Sequence, residues 1–174
     1  MINYLKMILL SVLLMVSLTA CKAENPQVND SKDLESIGQL SDSTQAAVTK
    51  AGEWLTDYDQ AIKLAKETDK KILVNFTGSD WCIWCKRLMK EVFTEKAFID
   101  YASSNLILLK LDFPKSIPQT KEEKAQNETL AKQFGIQGFP TILILNKYGK
   151  EIARTGYQEG GPEKYVDHLK SLIK

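Results

Sequence analysis

Several residue types that would point to metal or nucleic-acid chemistry are scarce in this chain of 174 residues. It has one histidine, His168, and three cysteines, with a single Cys-x-x-Cys pair, so a tetrahedral zinc site has too few ligands. Lysine plus arginine (23) nearly equals aspartate plus glutamate (22), so the basic excess typical of nucleic-acid-binding proteins is missing. The sequence therefore predicts no metal site and no nucleic-acid partner. We interpret His168 as a solvated or helix-end residue.

A long apolar segment is also missing, because the longest run, residues 7–18, is shorter than the ~20 residues that a membrane-spanning helix needs. The run ends in Leu-Thr-Ala-Cys, with Cys21 last. This order is typical of an export signal over residues 1–20, and its end resembles the lipobox of bacterial lipoproteins. We therefore predict cleavage before Cys21 and a lipid on that residue, which would anchor the exported protein to a membrane.

The alternative is a secreted protein in which Cys21 merely lies beside the cleavage site. In a Gram-negative bacterium, the lipid anchor would hold the protein in the periplasm. Lys22, in place of the aspartate that marks inner-membrane retention, then favours the outer membrane.

The remaining chain divides into a polar segment and a folded domain. Residues 21–50 are polar and lack aromatic side chains, which is typical of a flexible tether. Over residues 51–174, the apolar pattern predicts the order α-β-α-β-α-β-β-α, with the first helix starting at Trp54 and Thr94 as a later N-cap. A helix between the first two strands implies that they are parallel. We expect an α/β fold with a central four-stranded mixed sheet flanked by helices.

Cys82 and Cys85 lie where the first predicted strand, residues 71–76, gives way to a helix predicted over residues 82–93. A sulfur at a helix N-terminus is close to free N–H groups, and the helix dipole favours its thiolate, which is the attacking form. The second sulfur lies one turn later, close enough to close a disulfide. A structural disulfide, half of a metal site and a copper-handling thiol pair are the alternatives.

Two motifs and the order of elements together resemble the thioredoxin-like superfamily. One motif is Trp-Cys-x-x-Cys at residues 81–85, and the other is Gly-Phe-Pro-Thr at residues 138–141, before the third strand. The resemblance covers residues 54–174. Within it, residues 80–82 and 90–93 are most similar to the exported branch of the superfamily. The C-terminal domain of the bacterial thiol–disulfide reductase DsbD belongs to that branch.

The resemblance implies a thioredoxin-like fold and a role for several residues. Cys82 would be the catalytic nucleophile that forms a mixed disulfide with the substrate, and Cys85 would resolve it. This redox-active disulfide would serve without any further cofactor. Trp81, Phe139 and Pro140 would form the substrate-binding surface, with Pro140 in the cis conformation.

Asn75, Asp80 and Lys110 are the predicted supporting residues. Lys110 matches a lysine that lies behind the motif in thioredoxins. Asn75 stands where cytosolic thioredoxins have a buried aspartate that assists proton transfer from the second cysteine, and an amide cannot accept that proton. We interpret Asp80 as the cap of the motif helix, with proton acceptance as the alternative. Two further departures are an extra residue in the turn at 77–80 and the dipeptide Ile-Trp between the cysteines.

The expected function is a membrane-tethered, extracytoplasmic thiol–disulfide oxidoreductase, acting as a reductase or electron relay rather than an oxidase. Its partners would be exported proteins that carry disulfides and a membrane thiol–disulfide reductase, with the membrane itself contacted through the lipid on Cys21. The alternative is a thioredoxin-like binding module, for a protein partner or for copper, without redox turnover. A monomer is the default expectation.

Overall fold

The computed structural model describes residues 52–173. The predicted signal and tether, residues 1–20 and 21–50, lie outside this range, so they stay predictions. The strands are β1 (Trp54–Leu55), β2 (Lys71–Thr77), β3 (Leu106–Asp112), β4 (Thr141–Leu145) and β5 (Glu151–Thr155). The helices are α1 (Tyr58–Thr68), α2 (Ile83–Leu88), α3 (Lys96–Asn105), α4 (Lys121–Gln133) and α5 (Gly161–Leu172). None of the helices in this range is long and apolar enough to span a bilayer.

The strands form one mixed sheet in the order β1-β3-β2-β4-β5. β3 is parallel to both β1 and β2, whereas β4 is antiparallel to β2 and β5. The predicted fold class is therefore confirmed, but the sheet has five strands in the described range rather than four. Burial on both sides explains why β2 is an almost continuous apolar run.

The fifth strand is the segment that we predicted as the start of the first helix. Trp54 pairs with Leu108 of β3, and its indole packs on Phe93 with ring centroids 5.1 Å apart. The helix begins only at Tyr58, because the Asp57 carboxylate accepts the Gln60 N–H at 2.7 Å and caps it. Tertiary packing at the sheet edge therefore outweighs the helical spacing of these residues.

Alternate residues of β2 face two separate cores. Ile72, Val74 and Phe76 pack with α1 and α4, and Leu73 packs with α2, α3 and α5. Because side chains alternate along a strand, Asn75 shares the side of Leu73 and therefore lies on the α2 side of the sheet. This placement puts the amide in the same layer as the helix that carries the cysteines.

The motif helix begins as predicted, with Cys82 as its N-cap, but differs from the prediction at its C-terminal end. The α-helix stops at Leu88, and a π-helical turn continues it over Met89–Phe93. Thr94 is not the N-cap of α3, since its hydroxyl donates to the carbonyls of Met89 and Lys90, and Glu95 takes the cap position. The wider turn explains this change, because the Thr94 N–H reaches back five residues to the Met89 carbonyl at 3.0 Å.

After β3 an irregular connection leads to α4, which begins at Lys121. The Thr120 hydroxyl caps it by accepting the Glu123 N–H at 3.1 Å. Asn127 is buried, and its side-chain N–H donates to the Asp112 carbonyl at 2.9 Å. This bond fastens α4 to the end of β3, beside the turn that precedes the cysteines.

Candidate active site

The two cysteines form a disulfide at the start of α2, with Cα atoms 5.2 Å apart. Cys82 is the N-cap residue: its N–H donates to the Gly78 carbonyl at 2.8 Å, and its Sγ accepts the Cys85 N–H at 3.1 Å. Both cysteines are buried. A main-chain N–H directed at the first sulfur, together with the positive end of the helix dipole, favours a thiolate at that position once the disulfide opens.

The indole of Trp81, next to the first cysteine, is fixed by contacts from two loops, the one after β3 and the one before β4. Its Nε1 donates to the Phe113 carbonyl at 2.8 Å, and its ring meets Phe139 edge-on at 5.8 Å. The Lys115 ammonium lies 4.4 Å from the ring centroid. Gly78 makes room for the indole, because a Cβ at that position would lie 2.5 Å from the ring. Trp81 is nevertheless 41% exposed, so one part of the indole stays open to a partner.

Our prediction that Asp80 caps the motif helix is wrong, because the Cys82 sulfur occupies that position. Its carboxylate instead accepts the N–H groups of Lys115 and Ser116, the second at 2.6 Å. The Ser116 N–H is the main cause that holds the pKa of Asp80 below its usual value. Asp80 therefore ties the turn before the cysteines to the loop between β3 and α4.

The Phe139–Pro140 peptide bond is cis, as the resemblance implied. The loop reaches the site because the next residue, Thr141, begins β4 and pairs with Phe76 near the end of β2. Phe139 packs on Phe113 with centroids 5.0 Å apart. The loop therefore lies beside Trp81, the residue that precedes Cys82.

Asn75 and Lys110 are direct neighbours in the register of β2 and β3. Asn75 is 3% exposed, and its Oδ1 has no hydrogen-bond partner among the described residues. A cavity of about 350 Å³ extends behind Cys85 and is lined by Lys110 and Ser79, whose Oγ is also unpaired in this part of the chain. Cys85 and Lys110 thus line the same cavity, and an amide takes the place of the carboxylate.

A second cluster at the site was missed by the sequence analysis. Trp84 is 47% exposed and packs on Tyr157, with ring centroids 5.5 Å apart. Arg87 lies over both rings, and Glu91 accepts hydrogen bonds from Arg87 and from the Tyr157 hydroxyl. The four-residue spacing of Arg87 and Glu91 is visible in the sequence. Nothing local indicates that Tyr157, which follows β5, completes the cluster.

Two other predicted residues lie apart from this arrangement. His168 is half-buried near the end of α5, and its Nε2 is 2.8 Å from the Thr155 hydroxyl of β5, so of our two readings the helix-end residue fits and the solvated one does not. Cys21 lies outside the described residues. Within residues 52–173, no group of three or more His, Cys, Asp or Glu residues comes together to hold a metal ion.

Known proteins resemble this arrangement over most of the domain. A family profile described as a thioredoxin-like domain matches residues 58–173. The chain belongs to the thioredoxin-like family. It is 34% identical to the disulfide bond reductase DsbH of Chlamydia pneumoniae over 117 residues, which are 67% of this chain and 70% of DsbH. A solved structure of the oxidoreductase DsbH superposes with a TM-score of 0.68 at 31% identity, covering 78% of this chain and 94% of that one.

A second relative is the thiol:disulfide interchange protein DsbD of Actinobacillus pleuropneumoniae. It is 32% identical over 113 residues, which are 63% of this chain but only 18% of DsbD. Family membership and the Cys82–Cys85 disulfide together make this thioredoxin-like protein a thiol–disulfide oxidoreductase.

Proposed function

We propose that this protein is an exported, membrane-tethered reductase, or electron relay, for disulfides in other proteins. The observation that carries the proposal is the Cys82–Cys85 disulfide at the start of α2, next to Trp81, whose ring meets Phe139 of the cis Phe139–Pro140 bond. The name of DsbH, a disulfide bond reductase, supports the direction of electron flow. Its partners are accordingly proteins that exchange thiols and disulfides.

The reduced protein begins the reaction with the Cys82 thiolate, which the Cys85 N–H stabilises. This thiolate attacks one sulfur of the substrate disulfide, forms a mixed disulfide, and releases the first substrate thiol. Cys85 then attacks the Cys82 sulfur, which restores the intramolecular disulfide and releases the second thiol. Two electrons pass to the substrate, and another dithiol, on a membrane thiol–disulfide reductase, returns them.

The second attack requires Cys85 to lose its proton without a carboxylate at position 75. Lys110 lines the cavity behind Cys85, and a positive charge there stabilises the Cys85 thiolate. An ammonium group does not accept the proton itself, so the acceptor is either water or a carboxylate elsewhere. Lys110 therefore assists the loss of the proton by electrostatic stabilisation.

The place of action follows from the N-terminal segment. Export by the signal over residues 1–20 and lipid attachment at Cys21 would hold the domain at a membrane, outside the cytoplasm. Growing cells with labelled fatty acid tests this step. We expect label in the parent chain and none in Cys21→Ser, whereas equal labelling, or no label in the parent, would contradict the lipid anchor.

Insulin reduction by the full chain in the presence of dithiothreitol tests the activity. We expect turnover by the parent and loss of turnover in Cys82→Ser. If the folded parent protein does not reduce insulin, the proposed activity is wrong.

The reduction potential tests the direction of electron flow. A value near the ~−270 mV of thioredoxin supports a reductase, and a value near the ~−120 mV of the oxidant DsbA overturns that direction. The Cys85→Ser variant then serves to identify the partner. It lacks the second thiol, so the mixed disulfide between Cys82 and the partner is not resolved and the partner stays bound.

A further inference from the structure

Asp112 is a buried carboxylate that neither of the two sulfur steps uses. It is 7% exposed and is the only carboxylate buried within residues 52–173. It ends β3, where it is paired in register with Thr77 and lies two residues beyond Lys110. Because side chains alternate along a strand, Asp112 lies on the same side of the sheet as Lys110, which is the side of the motif helix.

The Asp112 carboxylate is linked to the cavity behind Cys85 through one residue, Ser79. Asp112 Oδ1 accepts the Ser79 N–H at 3.0 Å. Ser79 and Cys85 both line this cavity of about 350 Å³, and the buried Ser79 Oγ has no hydrogen-bond partner among the described residues. A buried hydroxyl of this kind binds water where the cavity has room for it. Water held by Ser79 can therefore connect the Cys85 thiol with the carboxylate.

The other charged groups around Cys85 offer no acceptor for a proton. Lys86 and Lys90 of the motif helix and Lys110 of β3 line the cavity, and an ammonium group donates hydrogen bonds but accepts none. The lining that β2 contributes is a threonine, which does not titrate in this range. The Asp80 carboxylate is bonded to N–H groups of the loop between β3 and α4. The buried carboxylate at the end of β3 is the acceptor that remains in this part of the chain.

Holding the turn before the cysteines does not require a charge at position 112. One oxygen accepts the Ser79 N–H, and the neutral amide of an asparagine would supply that oxygen equally well. A buried carboxylate instead carries the cost of removing a charge from water. An ionisable group kept in a buried place near a reacting thiol is typical of proton transfer.

We propose that Asp112 is the final acceptor of the Cys85 proton in the second step of the reaction. The inference rests on the proposed function and assigns a base to the same site. The proton passes from the Cys85 thiol through water held by Ser79 to the carboxylate, and the Cys85 thiolate attacks the Cys82 sulfur. The Cys82–Cys85 bond forms, the bond from Cys82 to the substrate breaks, and the substrate sulfur leaves with the electron pair. That sulfur takes up a proton from solvent, and Asp112 returns its own proton to solvent through the cavity.

The test separates the two sulfur steps with DTNB, an aromatic disulfide whose two halves leave as coloured thiolates. The full chain carries Cys21→Ser in every protein, so that only the two motif thiols react. One equivalent of DTNB is added to the reduced protein at about pH 4, where Cys85 keeps its proton and the mixed disulfide on Cys82 accumulates. A jump to a chosen pH then starts the second release, which reports the attack by Cys85.

The variants change the proton acceptor and leave its hydrogen bond in place. Asp112→Asn keeps an oxygen for the Ser79 N–H but removes the carboxylate. Asp100→Asn removes an exposed carboxylate of α3 and is the matched control. The rate of the first release is measured for each protein as well, because it reports the reactivity of Cys82.

In the parent, we expect the rate of the second release to vary less than about threefold between about pH 6 and 8, because the proton moves within the protein. In Asp112→Asn, this rate should rise about tenfold per pH unit, since only thiolate formed by loss of the proton to solvent attacks. At pH 7 the variant should be about 100-fold slower than the parent, a size typical of general base catalysis. Asp100→Asn should match the parent, and the first release should be the same in all three proteins.

A second release in Asp112→Asn with the rate and pH profile of the parent would overturn the inference. A slower first release together with an unchanged pH profile would also overturn it, because Asp112 would then have a structural role. If Asp112→Asn does not fold, the parent decides: a level rate supports the inference, and a rise of about tenfold per pH unit shows that solvent takes the proton. A parent that completes both releases but does not reduce insulin would contradict the proposed function, whereas its pH profile would still judge the proton acceptor.

Discussion

Replacing Asn75 with aspartate would put an ionisable group of nearly the same shape into the buried layer on the α2 side of the sheet. Asn75 is 3% exposed, and Lys110 is its neighbour in register on β3. Burial raises the pKa of a carboxyl group, and a nearby ammonium lowers it. The Asn75→Asp variant therefore measures how strongly this layer resists a negative charge.

The expected size follows from these two opposing effects. We take about three pKa units upward for burial and about one unit downward for Lys110, a net rise of about two. At about 1.4 kcal/mol per unit, ionising the new carboxyl group costs about 2.7 kcal/mol of folding free energy. Because the folded pKa lies above the unfolded value of about 3.9, this cost is absent below about pH 4 and complete above about pH 6.

Urea unfolding of the oxidised protein between pH 4 and 8 measures this dependence. We expect the free-energy difference between parent and Asn75→Asp to grow by up to about 1.4 kcal/mol per pH unit and then level off. Adding Lys110→Met to Asn75→Asp should cost about 1.4 kcal/mol more at pH 7 than the single changes predict. A difference between parent and Asn75→Asp that does not vary with pH would refute the reasoning.

Three further changes test other parts of the site. Asp80→Ala should accelerate amide hydrogen exchange at Ser116. In the parent, the ionised Asp80 carboxylate accepts the Ser116 N–H and protects it from exchange. Because the pKa of Asp80 is lowered, this protection should be present at every pH above the usual aspartate range and should be lost only when the pH falls below that range, which exchange followed by NMR measures. Gly78→Ala places a Cβ 2.5 Å from the Trp81 ring, and we expect a loss of about 1–3 kcal/mol in urea unfolding and altered tryptophan fluorescence. Phe98→Ala, in the fully buried core, should lose about 3–5 kcal/mol by the same measurement, with the redox potential unchanged.

The elements that the sequence predicted well are those with a strong local signal. β2 has a continuous apolar run, and the cysteines follow it directly at a helix start, so their position could be predicted from neighbouring residues alone. The cis bond before Pro140 was expected from a motif resemblance, since only a nonlocal comparison links it to the cysteines. The helical cap at Asp57 is local as well, yet the helical spacing of the apolar residues from Trp54 onward obscured that helix start.

The features that the sequence did not predict depend on residues far apart in the chain. β1 is a strand of two residues because Trp54 pairs with Leu108, and no pattern within two residues can indicate that partner. Asp80 lies next to a helix start, which favours a cap, but it is bonded to Ser116 across 36 residues. In each case, a long-range contact replaced the arrangement that the local sequence favoured.

The two exposed indoles beside the disulfide are held by different parts of the fold. Trp81 is bonded to Phe113, in the connection after β3, whereas Trp84 packs on Tyr157, in the connection after β5. Cys82, its helix start and the second cysteine lie within four residues, and Lys110, which lines the cavity behind Cys85, comes from β3. Changes in either connection would therefore alter the surface around the disulfide without altering the cysteines.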